Sequence, residues 1–283
     1  AAAKALNMSQ PALTRSIRQL ENSLNVELLA REGRGVVPTR FGISLSEHAR
    51  TIEAELRHAT RNLANLHTAE AGHLVIGASP IGLATLVGPT LARLHGELPG
   101  LTVEVRNDPF EIQLDELDNG KIDIVIGALW GNQTHEYLVE EVLFQNSLSV
   151  ITRSNHPLTL RKNLSFSDLA KETWIMARGP SAIRQLVDNE FRFEGSDLPI
   201  CTIETDSMLC VKSLLLASDF ISASPAELFT TEIERGVLSV LQLQWHSGTR
   251  PVGFVLREHG TITPALRTLI NILRDVGKRV AMK

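Results

Sequence analysis

The stretch Ala1-Ala-Ala-Lys-Ala-Leu-Asn-Met-Ser-Gln10-Pro-Ala-Leu-Thr-Arg-Ser-Ile-Arg-Gln-Leu20-Glu21 decides how the rest of the chain is read. Ala1–Leu6 has the composition of a helix end, and Asn7-Met8 that of a turn. Ser9 suits a helix N-cap because its hydroxyl can accept from the backbone N–H groups that open a helix. Pro11 then falls in the first turn, where a missing N–H costs nothing. From there Leu13, Ile17, Leu20 and Leu24 recur four, three and four residues apart, one apolar stripe that needs burial. The opposite side carries Gln10, Thr14, Arg15 and Arg18.

A short helix entered through a turn, with a polar and cationic outer side, has the format that reads bases in the DNA major groove near its N-terminus. Gln10 suits adenine, and Arg15 or Arg18 suits guanine. Ser9 and Thr14 are placed for phosphates. Residues 26–40 read as a hairpin, with Gly33 and Gly35 at the turn and Pro38 closing it. Arg31, Arg34 and Arg40 there suit a wing over the flanking phosphates, each contact adding salt-dependent affinity.

Downstream, Leu45, Ala49, Ile52, Leu56, Ala59, Leu63 and Leu66 alternate four and three apart with no Pro or Gly between Ile43 and Ala71. This is a heptad seam, and it predicts a long helix that pairs with a second copy. Glu47, Arg50, Glu53, Arg57 and Arg61 are expected on its outer, solvated face.

After Gly72 the period changes. His73–Ala78, Leu101–Arg106 and Ile122–Gly127 read as buried strands separated by helices near 82–96 and 110–119, the order of a parallel βαβαβ unit. A second set follows, with strands near 146–152, 173–176, 200–204 and 219–223 and helices near 181–193, 207–217 and 225–235. Strand Pro251–Arg257 and helix Pro264–Val280 close the chain.

Composition agrees with a two-part molecule. A length of 283 residues suffices for more than one core. The net charge of −4 is uneven: residues 1–69 hold nine Lys/Arg against six Asp/Glu, leaving 19 basic and 26 acidic residues in the remainder. This asymmetry suggests a small basic module on a larger acidic one. The two cysteines, Cys201 and Cys210, make neither a CxxC pair nor a four-ligand zinc site. No export signal or membrane span is legible, so a cytoplasmic protein with no membrane partner is expected.

Ala3, Leu6, Ser9-Gln10-Pro11-Ala12, Ile17, Leu20-Glu21, Leu24, Val26-Glu27-Leu28-Leu29, Arg31, Arg34, Thr39 and Gly42 together resemble the winged helix-turn-helix of LysR-type transcriptional regulators. The resemblance extends over essentially the whole chain. It implies an all-α winged head at 1–40, a linker and dimerisation helix at 41–71, and an α/β effector domain at 72–283. That domain would be two-lobed and periplasmic-binding-protein-like (type II), with lobe I at about 72–144 and 248–283 and lobe II at about 145–247. The family pattern places a first helix ahead of Ala1. It also implies double-stranded DNA and a small organic inducer, a sugar or an aromatic or other organic acid, as partners. A homodimer or homotetramer and contact with RNA polymerase are implied likewise. Three features depart from the pattern: the start inside the second helix, Leu29-Ala30-Arg31 where Phe-Arg is usual, and Ala217-Ser218-Asp219-Phe220-Ile221 without the usual glycine.

In two-lobed α/β folds ligands sit at the C-terminal ends of strands. Four loops fall there: Ser79-Pro80-Ile81-Gly82, Leu129-Trp130-Gly131, Arg178-Gly179-Pro180-Ser181 and Thr205-Asp206-Ser207. Free N–H groups near Ile81 and Ser181, with Arg178 or Arg184, favour an anion; Asp206 argues the other way. Ser79 and Ser181 equally suit helix caps. No cofactor, metal or catalytic role is expected. Gly77-Ala78-Ser79-Pro80-Ile81 misses G-x-S-x-G, His135-Glu136 lacks the second histidine of HExxH, and no P-loop or GxGxxG occurs. His48, His58 and His67 are expected to be solvated. Asp115, Glu116 and Asp118 are expected to form a wet helix face, and Trp174 to be core. The alternative from the residues alone is a solute-binding protein or enzyme on the same α/β lobes.

Overall fold

A computed structural model describes residues 2–33, 35–68, 72–130, 137–179, 181–199, 201–243, 245, 246 and 248–282, the side chains of 5, 32, 47, 58 and 61–68 excepted. The head begins with α1 (Ala2–Ala5), a turn through Asn7, and α2 (Gln10–Leu24), which ends on Asn25 in the left-handed conformation. Strands β1 (Leu29–Glu32) and β2 (Gly35–Pro38) form the antiparallel hairpin. Helix α3 (Arg40–Thr68) follows.

The apolar stripe of α2 is not buried, contrary to the expectation. Leu13 and Ile17 are half-buried, while Leu20 is 43% and Leu24 45% exposed. The described head offers α2 only a four-residue helix and a two-stranded hairpin as a second layer, too little surface to cover it.

The large domain is a mixed sheet in the order β4-β3-β5-β11-β6-β9-β7-β8, with β10 on the other side of β6. Strands β3 (His73–Ala78), β4 (Thr102–Arg106) and β5 (Ile124–Ala128) are parallel. The long strand β6 (Leu138–Arg153) runs from one lobe into the other. Its first part pairs with β11 (Thr249–Arg257) and its last part with β9 (Ile221–Pro225) and β10 (Leu238–Leu241). In the second lobe β7 (Trp174–Met176) lies parallel between β8 (Cys201–Glu204) and β9.

Helices cover both faces. After β3 come α4 (Pro80–Gly82), a π-helical turn (Leu83–Val87) and α5 (Gly88–Glu97); α6 (Phe110–Asp118) leads into β5. The second lobe adds α7 (Phe166–Leu169), α8 (Ala182–Phe193) and α9 (Met208–Ala217). A 3-10 turn (Ala226–Phe229) and α10 (Thr230–Glu234) follow, and α11 (Pro264–Ala281) closes lobe I. Four buried clusters, one on each sheet face of each lobe, make the core. The largest joins Ile76, Leu86, Ile126, Phe254, Leu269 and Leu273. Trp174 is fully buried in the second lobe, its indole N–H donating to the Leu169 carbonyl. The chain enters β9 without a glycine because Ser218 takes an extended conformation and accepts from the Phe220 N–H.

Candidate nucleic-acid interface and effector cleft

Ser9 caps α2: its hydroxyl accepts from Ala12 N at 3.3 Å, and Pro11 occupies the first turn. The cap fixes where the helix starts, and so places Gln10, Thr14 and Arg18 in one row along it, each four residues from the next. All three are exposed, as are Pro11 and Arg15. Thr14 is less free than expected, since its hydroxyl donates to the Gln10 carbonyl at 3.0 Å.

Glu21 ties the wing to this helix. Its carboxylate accepts from the N–H of Leu28 (2.8 Å) and Leu29 (3.2 Å). Thr39 closes the hairpin, donating to the Glu27 carbonyl and accepting from Gly42 N at the start of α3. Gly42 has no substitute here, because a Cβ would stand 2.1 Å from the Leu28 carbonyl oxygen. The carboxylate of Glu21 and the bare backbone of Gly42 therefore hold α2, the hairpin and α3 in one arrangement. Arg31 is exposed on β1, and Arg40 lies over the Phe41 ring, 4.7 Å from its centroid. Arg34 lies outside the described residues.

The seam on α3 is bare: Ile52 is 69% and Leu56 66% exposed, with Ala49 and Ala59 exposed beside them. The side chains of Leu63 and Leu66 lie outside the described residues. Part of the charged flank expected in solvent reaches lobe I instead, while Glu53 is exposed as expected and the side chains of Glu47 and Arg61 lie outside the described residues. Arg50 pairs with Asp118 at 3.5 Å, and Arg57 Nε donates to the Asn119 carbonyl at 3.2 Å. Glu55 accepts from both the backbone and the hydroxyl of Thr261. Between them Ala54 is fully buried against Gly120, whose left-handed backbone leaves no room for a Cβ. The acidic patch is thus not simply a wet face: Asp118 receives the linker, and Glu116 pairs with Arg106 at 2.9 Å. Of the linker histidines, His48 is exposed; the side chains of His58 and His67 lie outside the described residues.

The four loops expected to hold an effector follow the C-terminal ends of β3, β5, β7 and β8, with Gly131 and Pro180 outside the described residues. Ser79 does not cap α4; its hydroxyl accepts from Ala128 N at 3.2 Å and locks the β3 and β5 ends together. Ile81 is buried in the core, so its side chain is not a ligand contact, while Pro80 is half-buried. Trp130 is half-buried after β5; Gly131, His135 and Glu136 lie outside the described residues. Between the lobes, α4 meets the Ala226–Phe229 turn that follows β9. Because β7 and β8 run parallel to β9, Arg178 and Asp206 sit on that same edge.

Arg178 and Asp206 cancel each other. The Arg178 backbone N–H and Nε both donate to the Asp206 carboxylate, at 3.0 and 2.6 Å, and the guanidinium holds that carboxyl below its ordinary pKa. Arg178 is therefore not a free anion receptor, and Asp206 not a free acceptor. Ser181 caps α8 through Arg184 N, and its own N–H donates to the Gly179 carbonyl, so that N–H is not free either. Ser207 caps α9 through Cys210 N. Arg184 is within 3.4 Å of both Asp188 and Glu204. Among the described residues no group of His, Cys, Asp or Glu could hold a metal.

Sequence reasoning missed Arg250, buried at the start of β11 with its guanidinium 4.0 Å over the Trp130 ring. The signal was available. Continuing the two-residue period of Val252 and Phe254 backward puts this arginine on the face that packs the core.

Two family patterns cover this arrangement. Residues 1–43 match "Bacterial regulatory helix-turn-helix protein, lysR family", and residues 67–278 match "LysR substrate binding domain". The chain belongs to the LysR family. Among LysR relatives it is 29% identical to the HTH-type transcriptional regulator GalR of Pseudomonas putida, over 97% of this chain and 69% of that protein. It is 31% identical to the SDS degradation transcriptional activation protein of a Pseudomonas species, over 98% and 91% of the two chains. The crystal structure of CbnR, a LysR family transcriptional regulator, shares the fold with a TM-score of 0.60 at 21% identity, covering 98% of this chain and 93% of that one. The LysR assignment accounts for the head, the linker helix and the two lobes in their observed order.

Proposed function

We propose that this protein is a ligand-responsive LysR-type regulator that binds operator DNA through α2 and the wing and controls a metabolic or uptake operon. The observation that carries the reading is the row of Gln10, Thr14 and Arg18, exposed on a capped helix whose orientation Glu21 fixes against the wing. Gln10 reads an adenine edge; Arg15 and Arg18 reach guanine or phosphate; Ser9, Arg31, Arg34 and Arg40 grip the backbone. The name of one relative, the SDS degradation transcriptional activation protein, supports control of a degradative operon.

The inducer is a small organic molecule, a sugar or an aromatic or other organic acid, held between the lobes near Ser79, Pro80, Trp130 and Gly131, with Ser181 and Ser207 at the opposite lip. The protein works in the cytoplasm as a homodimer through the α3 seam, or as a homotetramer when sensors pair too, and uses neither cofactor nor catalysis. No helix among the described residues is long and apolar enough to cross a membrane. Ligand shifts the population between lobe arrangements. Lobe I grips α3 through Asp118, Asn119, Gly120 and Thr261, so a lobe movement carries the linker and changes the spacing of recognition helices. Activation further requires contact with RNA polymerase.

The test is a gel shift on palindromic promoter DNA against a scrambled duplex. Tighter binding to the palindrome is expected, and Gln10→Ala is expected to change sequence preference. Small-molecule binding with no DNA affinity would favour a solute-binding protein instead. An equal loss on every duplex after Gln10→Ala would remove its base-reading role.

A further inference from the structure

Apart from Arg250, the described arginines of the sensor that are buried or half-buried are bonded within the fold, as is the exposed Arg178. Arg93 meets Asp275, Arg106 meets Glu104 and Glu116, Arg178 meets Asp206, Arg184 meets Asp188 and Glu204, and Arg257 donates to the carbonyls of Leu117 and Ile122. Arg250 differs. It is 9% exposed, and no carboxylate pairs with it among the described residues. Its Nε and Nη2 are buried without a hydrogen-bond partner. Burial pushes its pKa down to about 10, which still leaves it charged at neutral pH. A buried, unpaired cation is costly and is expected to find a partner.

The position says where that partner comes from. Arg250 opens β11, which pairs antiparallel with β5, and Trp130 follows the end of β5. Both therefore stand at the edge where α4 meets the second lobe. Asn146, also buried, is the cross-strand neighbour of Arg250. The orientation says what the partner is. Stacking on the indole, with the guanidinium carbon 4.0 Å from the ring centroid, fixes the plane of the group. Nε and Nη2 share one edge of that plane, and two parallel N–H groups on one edge match the two oxygens of a carboxylate.

We infer that the effector of this regulator is a small organic acid whose carboxylate docks on the Nε/Nη2 edge of Arg250, with Trp130 as its platform. The inference rests on reading the interlobe cleft as the effector site. It narrows that reading from sugars and acids to acids, and it moves anion recognition from Arg178, which is occupied, to Arg250.

The test is thermal melting of the full chain in sodium acetate, gluconate or benzoate, each matched in ionic strength by sodium chloride, with sodium phosphate and neutral galactose as further arms. At least one carboxylate is expected to raise the melting temperature with concentration beyond chloride. Arg250→Gln is expected to weaken that response on the order of tenfold to a hundredfold, the loss for a charge-assisted pair of hydrogen bonds. Arg250→Lys is expected to fail similarly, since one ammonium cannot reproduce the two-donor edge. Ligand-free Arg250→Gln is expected to melt at or above the parent, because an unpaired buried charge is gone.

The inference is overturned if no carboxylate acts on the parent, if the response survives in Arg250→Gln, if only phosphate or galactose acts, or if ligand-free Arg250→Gln melts well below the parent. A gel shift separates this failure from that of the regulator reading. Arg250→Gln should still bind the palindrome while ignoring the acid, whereas a parent chain that binds no DNA would fail the regulator reading itself.

Discussion

Helices α11 and α3 are both long and amphipathic, and they meet opposite fates. The apolar side of α11 (Leu266, Leu269, Ile270, Ile272, Leu273, Val276) is buried on lobe I against α5 and β6. The apolar side of α3 (Ile52, Leu56) faces outward, and its charged flank docks on the same lobe through Arg50, Ala54 and Arg57. Period alone does not say which side of a helix meets its own chain. A broad apolar stripe on α11 finds a sheet. The narrow seam of α3 is left for another surface, while Ala54 against Gly120, with Arg50, Glu55 and Arg57 around it, seats the helix.

The contrast can be broken by mutation. Leu273→Ala should cost about 2–5 kcal/mol, as a cavity in a closed core does. Leu56→Ala should leave sensor unfolding within about 0.5 kcal/mol and act on self-association, read by sedimentation equilibrium. Equal losses of sensor stability in the two variants would erase the distinction. Gly120→Ala should cost about 1–3 kcal/mol. The new methyl would stand 2.7 Å from the Ala54 Cβ, on a backbone with φ +67°. Hydrogen exchange should show α3 loosened from lobe I while the core clusters stay protected.

Asp118→Asn tests the rim of the same contact and should cost less than about 1 kcal/mol, since Arg50 is half exposed. The smallest effect belongs to Asp206. Its lowered pKa contributes stability that is present above its ordinary value near pH 4 and is lost as pH falls through the folded value. Because the pair is largely exposed, Asp206→Asn should remove less than about 1 kcal/mol at pH 7 and flatten the acid limb of the melting curve.

Much of this was legible in the sequence. Ser9 and Pro11 announced the start of α2, the Leu-Ala-Ile-Leu spacing announced α3, and apolar runs placed β3, β5 and β11, because caps and periods are local facts. What escaped was pairwise. The burial of Ala54 depends on Gly120, a contact across 66 positions. The Arg178–Asp206 pairing reverses what each residue suggests alone. The first half of β6, Leu138–Gln145, and strand β10 went unseen because their side chains alternate exposure or pair only with β6. Arg250 escapes for a related reason: the apolar run begins at Pro251, two residues inside β11, so the charge on the core-facing side lies outside it.

The most direct measurement is the salt dependence of operator affinity, by fluorescence anisotropy, for the parent chain and Arg18→Ala. If the wet row of α2 lies against DNA, the parent's affinity falls steeply with salt. Removing the Arg18 cation from the duplex surface then lowers the slope by up to about 0.9. Identical slopes for the two proteins, or an affinity indifferent to salt, would show that this face of α2 does not meet the duplex.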